Sequence, residues 1–161
     1  MKMIIVLVIG LMVISACEGN VFSLKVGDCY NMPDVSETDF GLEVSDVELV
    51  NCDQPHEFEV FAVFQLPDSS WNGYDYVSQQ AEIGCSNRFE AFVGIKYDYS
   101  ILWIYPLFPT EFTWNETDDR EVTCSVMEES YTGEIIKVTG SAKGTEPVSY
   151  THLTLPTIYS V

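Results

Sequence analysis

His56-Glu57-Phe58-Glu59-Val60-Phe61-Ala62-Val63-Phe64 is the stretch on which the fold turns. In an extended chain successive side chains point to opposite faces, so Phe58, Val60, Ala62 and Phe64 are predicted to share one face. Glu57 and Glu59 begin the other, which then turns apolar at Phe61 and Val63. A strand that is apolar on both faces in its second half is covered on both sides, and this one is therefore predicted to be central in its sheet.

Working outward, Val77, Ala81, Cys85, Phe89 and Phe92 recur at spacings of four, four, four and three, the signature of one apolar helix face. Gly94 follows, ready to end that helix in a left-handed conformation. Further strands are predicted at residues 21–26, 47–52, 101–105, 121–127 and 134–140. In the fourth of these, Val122, Cys124 and Val126 share one side and Thr123 and Ser125 the other. Gly27-Asp28 and Thr132-Gly133 supply turns, and residues 31–45, with Pro33, Gly41 and several acids, read as a surface loop. The expected class is α+β: a mostly antiparallel sheet with one main helix packed on it.

Two ends are set aside before function is argued. Residues 3–16 form an apolar run behind Lys2 and close on Ile14-Ser15-Ala16-Cys17. The run is shorter than the roughly 20 residues needed to cross a bilayer, and it has the layout of a signal peptide. It resembles the lipobox of bacterial lipoproteins, which implies cleavage before Cys17, lipidation (thioether and palmitate-type acyl chains) of that cysteine, and a polar tether at residues 17–20. Such a protein is held at the extracytoplasmic face of the cell membrane by its acyl chains. At the other end, residues 148–161, VSYTHLTLPTIYSV, resemble the translation of a sequencing adapter and are expected to be non-native. Residues 21–147 are left as one domain, a size that needs no subdivision.

Composition narrows the partners. The chain has 25 acidic residues against 7 Lys and Arg, a formal net charge of −18. Such a surface repels phosphate backbones and disfavours nucleic acid as a partner. With Cys17 assigned to lipid, Cys29, Cys52, Cys85 and Cys124 form an even set suited to an oxidising compartment. Four cysteines permit three pairings. Cys29–Cys52 and Cys85–Cys124 are expected, because each joins neighbouring segments and because Cys85 and Cys124 both point into the same core.

Against this background the motifs carry a resemblance. Val26-Gly27-Asp28-Cys29-Tyr30, Cys52-Asp53-Gln54-Pro55-His56-Glu57-Phe58-Glu59-Val60, Cys85 ahead of Phe92-Val93-Gly94, and Arg120-Glu121-Val122-Thr123-Cys124 stand in order. With Pro109-Thr110, Trp114 and Thr139-Gly140-Ser141, they resemble the septum formation-related domain of actinobacterial exported or membrane-anchored proteins. The resemblance spans about residues 22–144 and implies a link to division. It implies no particular chemistry.

Candidate site residues follow from the same stretches. His56 with Glu57 and Glu59 is the one grouping that invites general-base chemistry, although strand neighbours point to opposite faces. The alternative is a histidine that bonds nearby backbone at a strand end. A zinc pair of Cys52 and His56 is disfavoured, since the domain has one histidine and no C-x-x-C. No metal and no cofactor are expected. Trp71 and Trp103, the latter within an aromatic run of Tyr97, Tyr99, Tyr105 and Phe108, are candidates for partner contact. The resulting expectation is a monomeric, non-enzymatic binding domain of the cell envelope whose partner is an envelope protein or cell-wall component. An envelope hydrolase centred on His56 and a purely structural spacer are the alternatives.

Overall fold

The computed structural model describes residues 17–33 and 46–148. The leader expected at residues 1–16, residues 34–45 of the acidic loop, and residues 149–161 of the expected non-native tail lie outside them. The elements are β1 (Cys17–Asn20), β2 (Cys29–Asn31), β3 (Asp46–Val50), β4 (Phe58–Gln65), α1 (Tyr74–Val93), β5 (Trp103–Leu107), α2 (Glu111–Glu116), β6 (Glu121–Glu129) and β7 (Ile135–Ile136). Seven strands form one antiparallel sheet in the order β1-β3-β2-β4-β6-β5, with β7 paired to β6. The α+β class expected from the sequence is the one observed. Among the described residues no helix is long and apolar enough to cross a membrane.

β4 is central, between β2 and β6, and an apolar cluster lies on each side of it. The assignment of faces along it needs correction. Register runs Val60 to Ser125 and then Ala62 to Cys124, so Phe61 is an extra residue that bulges out of the ladder. One added residue in a period-2 structure exchanges the faces. Phe58 and Val60 therefore pack with Tyr30 and Val47, while Ala62 and Phe64 join Phe61 on the side covered by α1. The two layers of core arise from a single strand through this one irregularity.

The helix matches its pattern: Val77, Ala81, Cys85, Phe89 and Phe92 are all buried. Gly94 adopts φ 94° and donates its N–H to the carbonyl of Glu90, which closes the helix. At Gly84 the helix passes so close to β4 that a Cβ there would overlap the Phe64 ring. The Arg88 guanidinium lies over the opposite end of that contact, 4.0 Å from the Phe64 ring centroid. Beneath α1, Cys85 is bonded to Cys124 of β6, and Cys29 at the start of β2 is bonded to Cys52. Both expected disulfides are formed.

Other boundaries differ from the sequence expectation for local reasons. Residues 21–26 form no strand. Val21–Ser23 is a 3-10 turn that buries Val21 and Leu24, three residues apart, and leaves Phe22 and Ser23 outside. A turn at Gly27 follows, in which Asp28 accepts the Lys25 N–H at 2.8 Å. The strand expected at 101–105 begins at Trp103, because the 3-10 turn Tyr97–Tyr99 and the Ser100 hydroxyl, which accepts the Leu102 N–H, occupy the approach. The strand expected at 134–140 is regular only at Ile135–Ile136, then touches the sheet again where Val138 bridges His56. The backbone of residues 17–20, expected as a tether, pairs with β3 as β1.

Helix α2 was not expected. Thr110 caps it, its side chain accepting the Thr113 N–H while the Thr113 hydroxyl accepts the Thr110 N–H. Trp114 fixes it to the core and is buried beneath the Arg120 guanidinium, 3.9 Å from the ring centroid. Arg120 also donates to the carbonyls of Asp68, Trp114 and Asp119, tying the loop after β4 to the entry of β6. β5 forms one margin of the sheet and contains Pro106, opposite Cys124. A proline is tolerated there because its nitrogen, which has no hydrogen, is not required by β6.

Candidate functional site

His56 is 1% exposed. Its backbone exchanges hydrogen bonds with Val138, N–H to carbonyl at 3.0 Å and carbonyl to N–H at 2.8 Å. Its Nδ1 lies 2.8 Å from the Gln54 carbonyl oxygen, two residues back in its own turn. The ring is thus packed at a strand end and oriented by backbone. Pro55, Gln54 and Asp53 are exposed around it.

Both neighbouring carboxylates find their partners away from the His56 ring, since residues one and three apart along a strand point to opposite faces. Glu57 accepts the Met32 N–H at 2.9 Å and lies 3.8 Å from the Lys137 ammonium. Glu59 is buried and accepts two short hydrogen bonds, from the Ser141 hydroxyl at 2.5 Å and from the Ala142 N–H at 2.6 Å. It fastens the segment after β7 across the sheet. Ser141 stood in the Thr139-Gly140-Ser141 motif, but neither it nor Ala142 was given a site role from the sequence; Gly140, with φ 87°, makes the turn that delivers them. Both carboxylates are therefore engaged with backbone and neighbouring side chains.

Cys29, Cys52 and Glu59 place two sulfurs and a carboxylate oxygen within 4.8 Å of one another. The sulfurs are bonded to each other, so they offer no thiolate to a metal, and the Cys52 and His56 ligand pair does not form.

The aromatic run sorts by side chain. Tyr97 meets Phe89 edge-on at 5.2 Å, Tyr105 lies 5.0 Å from Phe58, and Phe108 lies 5.5 Å from Tyr74. Trp71 packs edge-on against Trp114 at 5.6 Å and is partly buried. Tyr99 and Trp103 instead face outward, with Trp103 51% exposed. Ile101, which the sequence reading passed over, is exposed beside them. Tyr97, Ser100, Ile101, Leu102 and Trp103 line an open cleft of about 390 Å³. The structure thus brings Trp103 to a cleft, and separates it from the His56 turn and from Trp71.

Burial pushes the Tyr30 phenol well above its ordinary value, against the opposing effect of its 2.9 Å hydrogen bond with Ser125. Burial likewise raises Tyr105, helped by Tyr74. At the rim, burial raises Glu121, and the nearby Asp119 adds to it.

No curated protein and no solved structure matches the chain. Residues 26–152 match the protein family described as Septum formation, a stretch that starts just before Cys29, takes in both disulfides and runs past Pro147. Covering most of the 161 residues, that match identifies the chain as a member of the septum formation family, linked by it to cell division and the cell envelope.

Proposed function

We propose that the domain acts by binding at the extracytoplasmic face of the cell envelope, anchored there through a lipid on Cys17, and that it engages a division-related partner without catalysing a reaction. The observation that carries this reading is the cleft lined by Tyr97, Ser100, Ile101, Leu102 and Trp103, in which Ile101 and Trp103 stand exposed. Exposed aromatic and aliphatic groups around a concavity are the usual anchors of a recognition surface. The net charge of −18 favours a neutral or cationic envelope protein or cell-wall component. Binding is favoured over hydrolysis by the state of His56: its ring is buried, its Nδ1 engages its own turn, and neither Glu57 nor Glu59 orients it.

The test is capture from crosslinked envelopes with the wild-type protein, with Trp103→Ala plus Ile101→Ala, and with a charge-neutralised surface. A specific partner is expected with the wild type and at least tenfold less of it with the double variant. Equal capture by both would move the contact away from this rim. Recovery of no specific partner would count against binding and in favour of a structural spacer.

A further inference from the structure

The two disulfides occupy unlike surroundings. Cys85 and Cys124 are both 0% exposed, sealed between α1 and β6. Cys29 is 1% exposed, but its partner Cys52 is partly exposed, in a corner formed by the exposed Gly27 on one side and exposed Asn51, Asp53, Gln54 and Pro55 on the other. A thiolate attacks a disulfide in line with the S–S bond, so it needs one accessible sulfur and expels the other. The two cysteines are unequally covered: Cys52 is half-buried, its Sγ 3.5 Å from the carbonyl oxygen of the exposed Gly27, while Cys29 is in the core.

A second feature bears on that leaving sulfur. Glu59 is the Cα partner of Cys29 in the ladder between β2 and β4, and one of its oxygens lies within 4.8 Å of both sulfurs. Negative charge gathering on Cys29 Sγ is repelled by this buried carboxylate, and in a partly apolar setting the repulsion is weakly screened.

We propose that Cys29–Cys52 is a thiol–disulfide exchange site for an external dithiol, attacked at Cys52 Sγ, with Cys29 as the leaving sulfur and Glu59 restraining its release. In the first step a thiolate of the dithiol bonds to Cys52 Sγ, the Sγ–Sγ bond breaks, and Cys29 takes the electron pair and then a proton. In the second, the other thiol of the dithiol, deprotonated, attacks its own mixed sulfur and expels Cys52 as a thiolate, which is protonated in turn. The dithiol is oxidised to a disulfide by two electrons and the protein bridge is reduced by two. Opening the bridge frees the turn after β3 from β2, while Cys85–Cys124 keeps α1 on the sheet. Nothing in this rests on the proposed binding surface, since the two sites share no residue.

The folded full chain is treated with glutathione, quenched in acid and mapped by mass spectrometry; a mixed disulfide is expected on Cys52. An adduct on Cys29 would overturn the direction of attack. With dithiothreitol and alkylation, Cys29 and Cys52 are expected to be labelled at least tenfold faster than Cys85 and Cys124. Simultaneous labelling of all four would overturn selective exchange. Glu59→Gln is expected to accelerate opening about tenfold, with Glu59→Asp near the wild-type rate, because a leaving thiol freed of a neighbouring negative charge departs faster. Ser141→Ala loosens the same segment without altering the charge, and is expected to stay within about twofold of wild type. Equal acceleration by Ser141→Ala and Glu59→Gln would overturn the role of Glu59.

Discussion

Glu121 opens β6 with its carboxylate partly withdrawn from water, beside Asp119, and accepts a hydrogen bond from the Gln65 amide at 3.2 Å. Its pKa is raised by burial first and by Asp119 second. A carboxyl whose folded pKa exceeds its unfolded one binds more protons in the native state, so stability is present below the ordinary Glu range and declines as pH rises through the raised value. Glu121→Gln removes that decline. Denaturant titrations from pH 4 to 7 are expected to show the variant gaining on the wild type as pH rises; parallel curves would count against the assignment. The same reasoning applied to single residues shows why the candidate site was only partly legible. Aromatic identity marked Trp103 and Tyr105 alike, but they point the same way along β5, and only the position of Trp103 at the strand's start leaves it uncovered. His56 and its acids were legible as a group, and the turning of both acids away from the ring followed from alternation; that Glu59 would be claimed by Ser141 depends on a contact 82 positions along the chain.

At the scale of elements, α1 was readable because its burial repeats at the helical period, and β4 and β6 because short runs rich in aromatic and β-branched residues mark strands, here buried on both faces. The bulge at Phe61 was not, because an extra residue in an unbroken apolar run leaves no mark in composition. Helix α2 was missed for another reason: six residues are too few to establish a period, and its visible sign was the pair Thr110 and Thr113. That cap gives a direct prediction. Thr110→Ala leaves the Thr113 N–H without its acceptor and is expected to cost about 1 kcal/mol, read as a lower midpoint in urea at unchanged slope. Thr110→Ser, which keeps the hydroxyl acceptor, should retain most of the stability. A neutral Thr110→Ala would show that Trp114 and Arg120 alone hold the helix.

Across the whole molecule, the two bridges divide the labour. Cys85–Cys124 links residues 39 apart in sequence and joins the helix layer to β6, whereas Cys29–Cys52 spans 23 positions and joins the start of β2 to the turn after β3. Replacing Cys85 and Cys124 together by Ala also opens space between α1 and β6, and is expected to cost about 2–5 kcal/mol, against a smaller loss for Cys29 and Cys52. Thermal melts of the two double variants decide the order, and a larger loss from the Cys29 and Cys52 pair would contradict it. The sheet's outer margin has a further effect. Pro106 presents a ring where any other residue would extend an N–H sideways, so a neighbouring copy laid along β5 finds its hydrogen-bonding row interrupted near the middle. Crowded copies are thereby discouraged from zipping into ribbons, even though the Trp103 indole lies bare at the same border.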